Sequence, residues 1–214
     1  IYGDGSGGPQ NKDPRTRRVG SGAVCIAYSF DENQDLCIEP IAACFGGVGG
    51  AQTVPRSELW AQRMGLEIAM NNAELSLASD AAYFIKGFNA GPSECKQRAN
   101  ADLWLAFWNK LNQHHGGAVA RKVRAHRAEN EITSDVQEQL DFYGNFVADQ
   151  IADEAAARLS LPVADIERVQ QCDILARKVL LRLATIDMAA AAVGHTGKTA
   201  RPTAALGDGR ITKA

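Results

Sequence analysis

The chain has 214 residues, of which 45% are apolar and 22% charged, and a formal net charge of −2. That balance predicts a globular fold of ordinary domain size with a buried core. It excludes a bilayer-spanning helix, because no apolar run approaches the roughly 20 residues required. It also excludes a surface that is basic overall, so any charge that binds phosphate must be local.

The chain opens at Ile1 without a charged-then-apolar leader, and its first motif follows at once. The expectation is a domain of a longer chain rather than a secreted precursor. Residues 1–3 are extended and end at Asp4, with Gly5-Ser6-Gly7-Gly8 forming a turn. A polar loop with Arg15, Arg17 and Arg18 leads into a strand over 19–30, where Val24, Ile26 and Tyr28 alternate with small residues. A turn at 31–35 and a third strand over 36–45 complete an antiparallel meander. After the glycine-rich 46–50, Pro55 precedes a helix over 57–72, and a fourth strand over 74–79 ends at Asp80.

A short helix is predicted over 81–88 and a longer one over 100–112. The latter carries Trp104, Phe107 and Trp108 at near-helical spacing. Those aromatics are expected to pack, with contact to a nucleic-acid backbone as the alternative. A fifth strand over 119–125 ends at His126, and helices over 138–159 and 163–192 are separated by Pro162. The last stretch, 194–214, is rich in Gly, Thr, Pro and Lys and is expected to be disordered. The order predicts an α/β domain over 1–159, a mixed sheet flanked by helices, followed by an additional helix over 160–193 and the tail. Five cysteines with no CxxC pair predict reduced thiols and an intracellular, reducing compartment.

Four acids stand where solubility does not account for them. Asp4 and Asp80 lie at strand ends, the side of an α/β sheet where ligand sites collect. Glu58 begins a stripe with Ala61, Gly65 and Ala69, and Asp149 shares a helix face with Asn145, Ala152 and Ala156. Singly, Glu58 could be a first-turn acid favoured by the helix dipole, and Asp149 a solvated charge. Gathered in one site, carboxylates raise one another's pKa unless cations neutralise them. Oxygen donors of this kind suit Mg²⁺.

Tyr2-Gly3-Asp4-Gly5-Ser6, Arg56-Ser57-Glu58-Leu59, Ser79-Asp80 and Gly144-Asn145-Phe146-Val147-Ala148-Asp149 resemble the ordered motifs of type 1 ribonucleases H. The resemblance spans about residues 1–157. It implies a ribonuclease H-like five-stranded mixed sheet and a two-metal endonuclease that cuts the RNA strand of RNA–DNA hybrids, leaving 5′-phosphate and 3′-hydroxyl ends. It further implies that Asp4, Glu58, Asp80 and Asp149 hold two Mg²⁺ ions, with Mn²⁺ as an alternative. Val123-Arg124-Ala125-His126 resembles the strand leading to the family's mobile histidine, which would make His126 a proton shuttle or an aid to product release. An ordinary loop histidine is the other reading, and His114 and His115 are read that way.

Gly5, Ser6, Arg56 and Asn145 are the further candidates for nucleic-acid contact. Arg121, Lys122, Arg124 and Arg127 form the best local basic patch, or else a solvated strand edge. The chain departs from the family at Val54-Pro55, where members carry Asn-Gln or Asn-Asn that help read the minor groove. Asp153 and Glu154 are close enough to Asp149 to exchange places with it by one helical turn. Glu58 preceding Asp80 favours the ribonuclease H order over that of integrase-like enzymes. A non-catalytic binding or structural module is the alternative function. The abrupt start and appended helix suggest a retroelement reverse-transcriptase polyprotein, whose other domains would be partners.

Overall fold

A computed structural model describes residues 1–193, so the tail expected to be disordered lies outside the described residues. The strands are β1 (Tyr2–Ser6), β2 (Gly20–Phe30), β3 (Leu36–Gly47), β4 (Leu75–Ser79) and β5 (Ala118–Lys122). The helices are α1 (Val54–Ile68), α2 (Ala82–Cys95), α3 (Ala101–Leu111), α4 (Val136–Leu159) and α5 (Val163–Ala192).

Strands β2 and β3 pair antiparallel along almost their whole length, from Gly20 opposite Gly47 to Phe30 opposite Leu36. Their turn is built on Asp31, whose carboxylate accepts the N–H groups of Asn33 (2.8 Å) and Asp35 (2.9 Å). β1 pairs antiparallel with β2 and parallel with β4, and β4 pairs parallel with β5. The sheet order is therefore β3-β2-β1-β4-β5, the five-stranded mixed sheet expected from the sequence.

The two faces of the sheet differ in how they are covered. On one face α1, α2 and α3 enclose Leu59, Leu66, Leu77, Phe84, Trp104 and Phe107. Burial of a side chain such as Phe84 or Phe107 stabilises by about 1.5–3 kcal/mol. The Trp104 ring stacks on Phe84, and its indole N–H donates to the Tyr83 hydroxyl at 2.9 Å. Packing is thus the role of Trp104.

On the other face α4 lies against glycines. A Cβ at Gly22 would sit 2.7 Å from the Ala148 carbonyl oxygen, and one at Gly20 would overlap the backbone of Ala152 and Ala156. Small residues on both partners let the helix backbone reach the sheet. The helix starts at Asp135, whose carboxylate accepts the Glu138 N–H at 2.9 Å.

The chain divides into two units, Ile1–Val163 and the segment beginning at Ala164. α5 has no buried residue. No helix among the described residues is long and apolar enough to cross a membrane.

Candidate metal centre

Asp4 lies in β1, the central strand, and Glu58 in the first turns of α1. They meet because of Gly5. A Cβ there would lie 2.6 Å from the Glu58 nitrogen and would also overlap the Ser57 hydroxyl. Only glycine lets this end of α1 approach β1 so closely. Ser21 on β2 holds the helix in place by donating its hydroxyl to the Ser57 carbonyl at 2.9 Å. One turn further on, buried Gln62 donates its amide N–H to the carbonyls of Gly3 (3.3 Å) and Ala78 (2.9 Å), tying α1 to both β1 and β4. Asp80 follows the end of β4.

Carboxylate oxygens of Asp4, Glu58 and Asp80 lie within 4.8 Å of one another. Asp4 is 7% exposed and Glu58 6%, while Asp80 is half-buried. Burial, and then the Asp80 charge, raises the Asp4 pKa to about 6, against the Gly5 N–H that donates to Asp4 Oδ1 at 2.7 Å. Glu58 is pushed well above its usual range by burial first and then by Asp4 and Asp80. Asp80 is raised by burial, and the nearby His126 acts in the opposite sense. Asp149 raises both Asp4 and Asp80, which puts it within electrostatic reach of the cluster.

The donor set fits a hard divalent cation. All the candidate ligands are oxygens, and Glu58 Oε2 is buried without a hydrogen-bond partner. A buried unsatisfied acceptor costs about 1–3 kcal/mol, and a cation would remove that cost. Of the acids on α4, Asp149 is the one that acts on Asp4 and Asp80 through its charge, although it is not among the three whose oxygens converge. Asp153 accepts the Ser6 hydroxyl, and Glu154 pairs with Arg158 at 2.7 Å on the exposed side.

Beside the carboxylates runs a groove lined by Arg124, His126, Phe142, Asn145, Phe146 and Asp149. Phe142 and Phe146 stack one turn apart, with ring centroids 6.4 Å apart and planes 19° from parallel. His126 is exposed and holds a left-handed backbone, φ 48°, which costs a non-glycine residue about 1–3 kcal/mol.

Several of the other residues expected to contact nucleic acid are engaged within the protein. Arg56 bonds the Gly49 carbonyl at 2.8 Å and pairs with Asp102, pinning the glycine-rich loop. Arg121 pairs with Asp141 and donates to the Tyr2 hydroxyl at 3.1 Å, while Lys122 and Arg124 are exposed. Arg127 donates to the Glu131 carbonyl at 2.6 Å. The N–H of Gly5 is taken by Asp4, and the Ser6 hydroxyl also accepts the Gly8 N–H at 3.0 Å. His114 is held against the Ala73 carbonyl at 2.6 Å. Gln62 and the Phe142–Phe146 pair are features the sequence reading missed. Gln62 was detectable as a polar residue four positions after Glu58 on a helix face otherwise built of small residues.

No family model matches the sequence, and no curated protein matches it either. Among solved structures, the PFV RNase H domain is similar at 15% identity and a TM-score of 0.51, over 72% of this chain and 92% of that one. A foamy viral protease-reverse transcriptase in complex with RNA/DNA hybrid is similar at 16% identity and a TM-score of 0.50, over 74% of this chain and 20% of that one. The same viral protein in complex with dsDNA matches at 15% identity and a TM-score of 0.50, over 74% of this chain and 93% of that one. These likenesses are of fold: the chain has the ribonuclease H-like fold.

Proposed function

We propose that this chain is a metal-dependent endonuclease that hydrolyses the RNA strand of RNA–DNA hybrids, leaving 5′-phosphate and 3′-hydroxyl ends. The observation that carries the reading is the convergence of Asp4, Glu58 and Asp80 with a buried, unpartnered Glu58 oxygen. The sequence motifs around those acids and Asp149 support it, as does the fold, whose similar structures include one bound to RNA/DNA hybrid.

Asp4, Glu58, Asp80 and Asp149 would together hold two Mg²⁺ ions, or Mn²⁺. Bound divalent ions supply activation of a water and neutralisation of charge at the leaving oxygen of a phosphodiester. The protein's own contribution is to fix the acids on the central strand, the end of its neighbour and two close-packed helices, so that they need not reorganise. His126, which lines the groove, holds or releases a proton on its imidazole. Arg124 and Lys122 meet phosphates. The Phe142–Phe146 face and Asn145 contact sugar and base, in place of the asparagine and glutamine replaced by Val54-Pro55.

The test is Asp80→Asn. The variant should bind a labelled hybrid and leave it uncut in Mg²⁺, while the native chain cuts it. A variant that cuts at the native rate would remove Asp80 from the site and the reading with it.

A further inference from the structure

α5 runs for 30 residues, about 45 Å at 1.5 Å per residue, and buries none of them. Val179, Leu183 and Ile186 are 50%, 53% and 56% exposed. A helix that buries none of its residues has little to hold it in water, since helices in proteins draw most of their stability from packing an apolar face.

The spacing of its apolar residues identifies what covers that face. With Val169 at position a of a seven-residue repeat, the a column is Val169, Ala176, Leu183 and Ala190. The d column from there on is Cys172, Val179 and Ile186, and one repeat earlier it holds Asp165 in the first turn of the helix. This alternation of three and four is the pattern of a coiled-coil seam. No other pair of columns at that spacing is free of charge over this stretch. A seam through Ile174, Leu181 and Met188 would have to include either Arg177 or Lys178.

The flanking positions then select the occupant. Position g carries Arg168, Leu175 and Arg182, and position e carries Asp173, Leu180 and Asp187. In a parallel pair of identical helices, each g residue faces the e residue five positions on in its partner. Arg182 meets Asp187, Leu175 meets Leu180, and Arg168, which also pairs with Asp165 of its own helix at 3.2 Å, meets Asp173, so charges are opposed and the apolar flank meets itself. In an antiparallel pair, g faces g and e faces e, which sets arginine against arginine and aspartate against aspartate. We infer that α5 is a dimerisation helix that pairs in parallel and in register with α5 of a second copy of this chain. The inference does not depend on the proposed activity.

The experiment is sedimentation equilibrium of the full chain across the micromolar range, with paired charge variants. The native chain should shift from monomer to dimer as concentration rises, and Val179→Asp should abolish the shift. Arg182→Asp and Asp187→Arg should each dimerise at least tenfold more weakly alone, whereas an equimolar mixture should recover native association as a heterodimer. Both charge variants lie on exposed helix surface, so loss of the fold does not confound them. In a Cys37→Ser background, mild oxidation should also link Cys172 to its counterpart, which a parallel register places opposite. A chain that stays monomeric at every concentration overturns the inference. So does association that survives Val179→Asp, a mixture no tighter than the single charge variants, or dimers that fail to link through Cys172.

Discussion

Glu58 sits within 4.8 Å of Asp4 and Asp80, oxygen to oxygen, and has one buried carboxylate oxygen without a hydrogen-bond partner. The three acids are a standing cost to the metal-free fold, and its pH dependence can be worked out for Asp4. Its folded pKa, about 6, lies above its ordinary value of 3.8. The folded chain therefore holds a proton that the unfolded chain releases, and stability falls as pH rises through that window. The penalty is complete above about pH 6 and absent below about pH 4. Asp4→Asn should raise metal-free stability at pH 8 by on the order of 2 kcal/mol, a gain that fades as pH falls toward 4. Urea unfolding at the two pH values measures it, and an equal gain at both would contradict the account. Protons compete for the same oxygens, so Mg²⁺ affinity, followed by calorimetry, should weaken as pH drops below about 6. In the groove beside the acids, His126→Ala should slow cleavage by about 10²-fold while leaving hybrid affinity within a factor of two. Equal losses in both would make His126 a binding residue.

The elements that carry these residues depend on glycine at their contacts. Gly22→Val would drive a side chain into the backbone of α4, where even a Cβ sits 2.7 Å from the Ala148 oxygen. It should cost about 1–3 kcal/mol or more and displace Asp149 with its helix. A lower urea midpoint together with weaker Mg²⁺ binding is the expected result, and unchanged metal binding would separate α4 from the site. At this scale the sequence was informative wherever local chemistry decides. Strand alternation placed β2 and β3, and Pro162 marked the break between α4 and α5. It was weaker where chemistry is ambiguous. Pro55 suggested a helix starting at residue 57, but proline suits the first turn, and α1 begins at Val54. The short helix expected over 81–88 instead runs to Cys95 across a kink at Gly91, and the Cys95 thiol donates to the Gly87 carbonyl at 3.2 Å. β5 stops at Lys122 rather than residue 125.

For the whole molecule, the convergence of Asp4, Glu58 and Asp80 was legible because each stands in an ordered motif, although 76 positions separate Asp4 from Asp80 in the numbering. What fills the surrounding surface was not legible. Arg121 looked like a phosphate contact, but its partners Tyr2 and Asp141 lie 119 and 20 residues away. Only the folded sheet brings them together. The same holds for Arg56 and Asp102, 46 residues apart. Basic residues that remain exposed, Lys122 and Arg124, are therefore the better candidates for meeting phosphate. The most direct test of the account is cleavage of one 5′-labelled RNA strand, presented paired with DNA, paired with RNA, and alone, each with Mg²⁺ or with chelator. Cutting of the DNA-paired strand alone, and only with Mg²⁺, is the predicted result. Folded protein that cuts none of the three, or that cuts with chelator present, would contradict it.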